Sequence, residues 1–135
     1  QKGYNLFKQN CASCHKEPLF SSNDFKNNGL QIDITLNDFG RMKITQNPKD
    51  SLLFKVPTLR NIEFTFPYMH DGRFKTLNEV IKHYNSGIQK SKTLSKELLK
   101  PLNLSDNQRI ELVSFLKTLT DNQFLFNPKY SFPKK

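Results

Sequence analysis

Apolar residues recur at helical spacing between residues 77 and 84. Four of them follow at positions i, i+3, i+4 and i+7 and so share one face of a helix: Leu77, Val80, Ile81 and Tyr84. Thr76 and Glu79 have the spacing of a capping box, in which the hydroxyl and the carboxylate bind backbone N–H groups of the first turn. We therefore predict a helix that begins after Thr76 and ends at the segment from Asn85 to Gly87.

Two further segments show the same kind of pattern. Ser105 and Gln108 form a second capping box, and the helix that they open is predicted to run to about Thr120 with a broad apolar face. The residues of that face are Ile110, Leu112, Val113, Phe115, Leu116 and Leu119. A first helix is predicted over residues 2–11, and its inward-facing residues are Tyr4, Leu6 and Phe7.

The segment from residue 16 to residue 57 lacks this periodicity and is rich in Asn, Asp, Gly and Pro. We predict that it is mostly an ordered loop, anchored by a set of apolar residues: Leu19, Phe20, Phe25, Leu30, Ile32 and Ile34. No strand of convincing length is predicted in the chain. The expected fold is a single, mostly α-helical domain over residues 1–135, with about three main helices joined by long loops.

Composition and charge narrow the functional classes. Apolar residues make up 36% of the chain, which is lean for a core that contains no cofactor. No segment approaches the roughly 20 apolar residues of a membrane-spanning helix. The net charge is +9, but the basic residues are spread along the chain and form no run typical of nucleic-acid binding. Much of this charge is therefore expected to belong to a solvated surface, and steering of an acidic electron donor stays open as an alternative.

The two cysteines of the chain belong to the segment Cys11-Ala12-Ser13-Cys14-His15. This C-x-x-C-H pattern is typical of c-type haem attachment, in which both thiols form thioethers and the histidine binds the iron. Redox dithiols and half zinc sites share the C-x-x-C spacing, but the adjacent histidine and the lack of a second cysteine pair favour haem. We expect one covalent haem c, around which the loops wrap and which adds apolar volume to the core.

Covalent haem also bears on localisation. Haem c is assembled on the outer side of the energy-conserving membrane, so we expect the chain to be periplasmic or otherwise exported. No targeting segment is visible at Gln1, where a helical pattern starts directly. We therefore expect a targeting segment, or a whole preceding domain, that this sequence does not include.

Two longer motifs are more specific than the cysteine pattern. They are Phe54-Lys55-Val56-Pro57-Thr58-Leu59-Arg60-Asn61-Ile62 and Thr65-Phe66-Pro67-Tyr68-Met69-His70-Asp71-Gly72. They occur in order with Gly40-Arg41, Thr45, Thr76-Leu77 and Glu79-Val80. From Gly3 to about Phe126, the chain resembles the carboxy-terminal domain of the bacterial di-haem cytochrome c peroxidases and of the MauG-type enzymes in the same superfamily. The resemblance implies a cytochrome c-like fold.

Members of this superfamily have two haem domains. The resemblance implies that the domain present here carries a six-coordinate haem and relays electrons to a second haem, which reacts with peroxide and lies in a domain that this chain lacks. It therefore implies a second haem domain, in the same protein or a separate chain, and a small electron-donor protein. Two alternatives stay open: a MauG-type store of oxidant that acts on a protein substrate, and a stand-alone mono-haem electron carrier. The chain alone is not expected to be catalytic.

The sixth iron ligand is open between four side chains: Met69, His70, His83 and Tyr84. In conventional members of the superfamily the ligand is a methionine on the helix after the H-D-G motif. Alignment through Pro67 and His70 puts Tyr84 at that position, where MauG-type proteins carry a tyrosine. Helical periodicity also places Tyr84 on the apolar face, whereas His83 is turned about 100° away and is expected to face solvent.

Met69 is the main alternative as ligand, because methionine commonly pairs with histidine in electron-transfer haems and raises the reduction potential, whereas tyrosinate lowers it. It could instead pack against the porphyrin edge. His70 resembles a superfamily histidine near the domain interface, and its structural role would be to brace the turn through hydrogen bonds.

Five other residues have expected roles. Arg41 and Arg60 occupy motif positions, and each could pair with a haem propionate or brace a loop. Pro57 and Pro67 are expected to fix the direction of the loops. The resemblance further implies a calcium ion between the two domains, bound by the backbone carbonyls of Thr65 and Pro67 and by a ligand from the missing domain.

Overall fold

The computed structural model describes residues 1–132. Its helices and strands are α1 (Lys2–Asn10), β1 (Phe25–Lys26), α2 (Met42–Thr45), β2 (Phe54–Lys55), α3 (Leu77–Lys82), α4 (Asp106–Lys117) and α5 (Asn122–Leu125). Short 3-10 turns lie at Pro48–Asp50, Ile62–Phe64, Lys96–Leu98 and Pro128–Tyr130, and a π-helical turn, His83–Gly87, directly follows α3. The fold is mostly helical, as predicted. Over the described part of the chain, no helix is long and apolar enough to cross a bilayer.

Helices α1 and α4 cross in close contact. At the crossing, a Cβ atom added to Gly3 would lie 2.0 Å from the Glu111 carbonyl oxygen and 2.8 Å from Cβ of Phe115. Only a residue without a side chain allows the two backbones to approach so closely. Phe7 and Leu112, both fully buried, fill the interface next to this contact.

The main core lies where α1, α3 and α4 meet. Its buried residues are Leu6, Phe7, Leu59, Ile62, Leu77, Ile81, Leu104, Leu112 and Leu116. An aromatic cluster borders this core: the ring centroid of Phe7 lies 5.2 Å from that of Phe115 and 5.4 Å from that of Phe20. Of the predicted inward-facing residues of α1, Leu6 and Phe7 are buried, whereas Tyr4 is half-buried and its hydroxyl donates to Glu17.

Both predicted capping boxes are present. The Thr76 hydroxyl accepts from the backbone N–H of Glu79 while the Glu79 carboxylate accepts from the backbone N–H of Thr76, and Ser105 and Gln108 make the equivalent pair at α4. Each pair satisfies backbone donors that the first helical turn leaves free. The starts of α3 and α4 therefore follow directly from adjacent residues in the sequence.

The predicted apolar face of α4 is correct except for Ile110, whose side chain is 62% exposed. At about 100° per residue, Ile110 lies about 160° around the helix from Leu112, on the side away from the core. A face that spans six residues in ten was too broad to be buried entirely.

The long segment from residue 16 to residue 57 is an ordered loop with little regular structure, as predicted. Its two-residue strands β1 and β2 pair antiparallel, with Phe25 opposite Lys55 and Lys26 opposite Phe54. The prediction of its apolar anchors was largely wrong: only Leu30 is buried and only Phe20 is half-buried. The exposed members of that set are Leu19, Phe25, Ile32 and Ile34. Without periodicity, sequence hydrophobicity does not indicate which loop residues pack inward.

Candidate functional site

The C-x-x-C-H segment forms a tight turn at the end of α1. The backbone N–H of Cys11 donates to Phe7 at 2.8 Å and so extends the helix, and the N–H groups of Cys14 and His15 both donate to the Cys11 carbonyl, at 3.1 and 2.9 Å. Residues three apart in a helical turn lie on the same side, so this conformation presents both cysteines in one direction. Both are free thiols and both are partly exposed.

Hydrogen bonds hold the His15 ring through Nδ1, whereas Nε2 is the candidate metal-binding nitrogen. Its Nδ1 lies 3.0 Å from the carbonyl oxygen of Pro57 and 3.3 Å from that of Phe20. Because both neighbours are acceptors, Nδ1 carries the proton and donates, which leaves Nε2 with a free lone pair. Burial lowers the pKa of His15, against the opposing effect of these hydrogen bonds, and this favours the neutral imidazole that binds metal.

The same region contains Tyr84. Burial raises the pKa of Tyr84 to about 12, a hydrogen bond from the Asn28 side chain opposes this rise, and the charges of Cys11 and Cys14 add to it. Tyr84 thus shares its electrostatic surroundings with the cysteine turn. Burial, with the charge of Cys14, also raises the pKa of Cys11 to about 12, which favours the protonated thiol.

Met69, which directly precedes the H-D-G turn, lies near the same asparagine as Tyr84. Its sulfur accepts a hydrogen bond from the Asn28 side-chain amide at 3.3 Å. The structure thus brings both leading candidates for sixth ligand, Tyr84 and Met69, next to one asparagine. On its own this placement is compatible with either as ligand.

The prediction that His83 faces solvent was wrong. His83 is buried, with only 6% of its surface exposed, and its Nε2 lies 3.0 Å from the backbone carbonyl oxygen of Asn28. Two features explain the error. Helix α3 ends at Lys82 and continues as the π-helical turn, where the α-helical period no longer applies. The ring of His83 also contacts the backbone carbonyl of Asn28, which lies 55 positions earlier in the chain.

His70 is exposed and stacks on Phe54, with ring centroids 3.8 Å apart and planes 13° apart. Within residues 1–132 its ring makes no hydrogen bond, so the turn is braced by other groups. Nε of Arg73 donates to the buried carboxylate of Asp71 at 2.7 Å. Burial raises the pKa of Asp71, but the hydrogen bonds and charge of Arg73 outweigh it and lower the pKa on balance.

The two motif arginines have different surroundings. Nε of Arg41 lies 3.4 Å from the Asp50 carboxylate, and its guanidinium lies 4.3 Å from the centre of the Phe25 ring. Arg60 is exposed, and over the part of the chain that the structure describes it forms no ion pair. Arg41 is therefore already engaged by the loop, whereas the guanidinium of Arg60 is available to an added carboxylate.

The segment expected to bind calcium lies on the surface. Thr65 and Pro67 are exposed, and no described backbone N–H donates to either carbonyl. No group of three or more His, Cys, Asp or Glu side chains among residues 1–132 is placed to hold a metal ion. The two carbonyl oxygens alone are fewer than the roughly six to eight oxygen ligands that calcium takes.

Several groups in this region were not identified from the sequence. The carbonyls of Pro57 and Phe20 that orient His15 carry no side-chain signal. Asn28 lies in the run Asn27-Asn28-Gly29, and Gly29 has a φ of 69°. An asparagine pair before a glycine is typical of a turn and was the one available indication that this segment has a defined conformation.

Residues 1–120 match the profile of the protein family described as Cytochrome c. The methylamine utilization protein MauG of Methylorubrum extorquens is 38% identical over 123 residues, which cover 88% of this chain and 34% of that protein. Cytochrome c551 peroxidase of Nitrosomonas europaea is 37% identical over 125 residues, covering 90% of this chain and 34% of that protein. The chain therefore spans about a third of the length of these relatives, in their carboxy-terminal part.

A solved structure shows the same likeness in three dimensions. The crystal structure of a MauG-like protein associated with microbial copper homeostasis superposes with a TM-score of 0.85 at 32% identity, covering 98% of this chain and 47% of that one. The fold predicted from the sequence resemblance is thereby confirmed.

Proposed function

We propose, from the premise that this chain belongs to the cytochrome c family, that it is the electron-relay domain of a di-haem cytochrome c peroxidase-type enzyme and holds one covalent haem c. When bound, the haem supplies one-electron redox chemistry at its iron. One observation carries the proposal: Nδ1 of His15 faces two carbonyl acceptors, which leaves Nε2 free beside two unpaired thiols. This donor set fits a covalently attached haem.

Each residue of the cysteine turn would have a different role in binding the haem. Cys11 and Cys14 would form the thioethers, and His15 would bind the iron through Nε2. The carbonyls of Pro57 and Phe20 fix the plane of the His15 ring and make it a stronger ligand, as hydrogen bonds to metal-binding histidines generally do.

Tyr84 is the favoured sixth ligand and Met69 the alternative. The buried hydroxyl of Tyr84 has a pKa of about 12 in the protein alone, so a nearby cation is needed to hold it as phenolate at neutral pH. A ferric iron between His15 and Tyr84 would supply that positive charge. The electrostatic effect of Cys11 and Cys14 on Tyr84 supports this arrangement.

A six-coordinate iron has no open position for peroxide, so the reaction with peroxide would take place at a second haem in a partner domain. The relatives are about three times as long as the matched region and have room for such a domain. The exposed carbonyls of Thr65 and Pro67 would contribute to calcium binding at the junction. The net charge of +9 suits an acidic electron donor, and haem c assembly implies export, for example to the periplasm.

Arg60 is the favoured partner of a haem propionate. It has the planar fork that matches a carboxylate, and it is not engaged in an ion pair within the described residues. Arg41 is bound to Asp50 and Phe25, and we assign it to loop bracing.

A second function is a MauG-type store of oxidising equivalents that acts on a protein substrate. Tyr84 favours it, because an anionic ligand stabilises higher oxidation states of iron better than a thioether does. The similarity to MauG is also as high as that to the peroxidase. A stand-alone mono-haem carrier is less well supported, because it leaves the exposed segment around Thr65 and Pro67 without a use.

The test is the number of covalent haems per native particle, from intact mass and haem absorbance. We expect two haems, one of them on this chain, and loss of that one in the Cys11→Ala/Cys14→Ala variant. The two-haem particle should consume peroxide with an electron donor alone, whereas a MauG-type protein would require its protein substrate. A native particle with a single haem would overturn both di-haem functions and leave an electron carrier.

A further inference from the structure

We propose that Asn28 selects the sixth ligand of the iron: its side-chain amide donates a hydrogen bond to the Met69 sulfur, holds that thioether off the iron, and so leaves the position to Tyr84. This role rests on the proposed function, since the iron is that of the covalent haem. Asn28 acts through Met69 and Tyr84, so it is a positioning residue.

The segment that carries Asn28 is rigid because its neighbour Asn27 is buried and fully bonded. The Asn27 side-chain amide donates to the hydroxyls of Ser91 and Thr93, both at 2.9 Å. Its backbone N–H donates to the Ser95 hydroxyl at 3.1 Å, and its side-chain oxygen accepts from the N–H of Gly29 at 2.8 Å. With 2% of its surface exposed, Asn27 fixes this turn against the loop that follows the π-helical turn.

Gly29 packs tightly against residues 88 and 89 on the other side of this turn. It has a φ of 69°, and a Cβ atom added to it would lie 2.5 Å from Cγ2 of Ile88. Its carbonyl also accepts from the N–H of Gln89 at 2.8 Å. There is no space for the segment to slide towards residues 88 and 89, so the position of Asn28 relative to Tyr84 is fixed.

The hydrogen bonds of Asn28 itself determine which way its amide points. Its side-chain oxygen accepts from the N–H of Leu30 at 3.2 Å, and its backbone carbonyl lies 3.0 Å from Nε2 of His83. Because the side-chain oxygen is turned towards Leu30, the NH2 group is turned the other way, towards Met69 at 3.3 Å. Only this group is left to act on the candidate ligands.

The contact between that NH2 group and Met69 favours tyrosine as ligand. A thioether that accepts from the amide directs a lone pair at Asn28. Met69 also has a φ of 72°, so its backbone is held in a conformation that residues other than glycine rarely adopt. The Met69 side chain is thus held by Asn28, which leaves Tyr84 as the ligand.

The test compares wild type with two variants, each in the haem-loaded full chain. Asn28→Leu has a similar volume and no donor, and Asn28→Asp keeps the oxygen that accepts from Leu30 but has no N–H. Near-infrared magnetic circular dichroism of the oxidised protein distinguishes phenolate from thioether ligation. We expect phenolate ligation in wild type and, in both variants, a thioether-ligated fraction raised by about two- to tenfold, which corresponds to the loss of one typical hydrogen bond. The reduction potential of Asn28→Leu should also rise.

Met69→Leu is the matched control, because combined with either variant it should abolish the new thioether signal. The proposal is overturned if Asn28→Leu lowers only the melting temperature and keeps the wild-type ligand signature, or if wild type already has thioether ligation. Intact mass measured on every sample separates these results from a failure of the proposed function, in which no haem would be attached to Cys11 and Cys14.

Discussion

At the scale of single residues, the surroundings of the candidate ligands His15 and Tyr84 act on them in different ways. Two backbone carbonyls determine the tautomer of His15, and these carbonyls belong to loops separated from it by 5 and 42 positions. Tyr84 is different, because its protonation is governed by burial, which opposes the charged form. The loops therefore set the chemistry of the site as much as the ligands do.

The first prediction concerns the identity of the sixth ligand. Replacing Tyr84 with Phe should raise the reduction potential of the haem by more than about 59 mV, a tenfold change in a one-electron equilibrium, because the electron-donating phenolate is lost. Potentiometric titration followed by haem absorbance measures this. Met69→Leu should change the potential by less than that amount. A larger change in Met69→Leu than in Tyr84→Phe would identify Met69 as the ligand.

For single residues, the sequence pattern indicated which residue types belong to the candidate site, but it did not indicate which groups surround them. Motif spacing marked the C-x-x-C-H segment, and the choice of Tyr84 as sixth ligand stays a prediction. Asn28 and the Pro57 carbonyl were missed because their roles depend on contacts with residues distant in the chain. His83 was misplaced for the same reason, since its ring contacts the backbone carbonyl of Asn28, 55 positions earlier in the chain.

At the scale of elements, helix starts were predicted more reliably than loop packing. A capping box is encoded within four consecutive residues, so Thr76 and Ser105 marked α3 and α4 directly. The end of α3 was harder to predict from the sequence, because a π-helical turn has no comparable sequence signal. Ile34, 89% exposed, shows that an apolar residue in a loop carries no information about burial without a periodic pattern.

The capping box of α3 should make stability depend on pH in a defined direction. Oε2 of Glu79 accepts from the Thr76 hydroxyl and from the backbone N–H groups of Thr76 and Lys75, and these hydrogen bonds lower the pKa of Glu79. A carboxyl with a lower pKa in the folded state stabilises the fold above its unfolded pKa, about 4.3, and loses this effect as pH falls through the folded value. Glu79→Gln should therefore lower the free energy of unfolding at pH 7, and this loss should shrink as pH falls below about 4.3 through the folded pKa.

Urea denaturation of the haem-loaded protein at several pH values measures this difference. Ser105→Ala is the matched control: it removes a capping hydroxyl without a titratable group and should cost about 1 kcal/mol at every pH. A cost of Glu79→Gln that stays constant down to pH 3 would contradict the prediction.

The contact between α1 and α4 gives a prediction for Gly3. Gly3→Ala should destabilise the protein by about 1–3 kcal/mol, because the added Cβ would overlap the Glu111 carbonyl and force the helices apart. Asn5→Ala, at an exposed position of the same helix, should be neutral or slightly stabilising, since alanine favours helix. Chemical denaturation compares the two, and equal midpoints would show that α1 can shift without cost.

At the scale of the whole molecule, charge is the property with the clearest functional consequence. The net charge is +9, and the basic residues lie along the whole chain. Such a field raises the rate of encounter with an acidic protein without requiring a specific basic motif.

Electron transfer from an acidic donor protein should accordingly slow as salt increases. Between about 10 mM and 150 mM ionic strength the Debye length falls from roughly 30 Å to roughly 8 Å, so long-range attraction is screened. Stopped-flow reduction of the haem-loaded chain measures the rate, and an uncharged small-molecule reductant serves as control because its rate should not change. A donor rate independent of salt would exclude electrostatic steering.

The close approach of α1 to α4 also determines the order of events in time. The cysteine turn follows α1 directly, but α1 packs against a helix that lies about a hundred residues later, and such distant contacts form late because a long loop must close first. If haem is attached as proposed, the two thiols would be reached on a segment that has not yet packed against its partner helix. Attachment at that stage would not depend on access to the thiols in the folded domain, where both are only partly exposed.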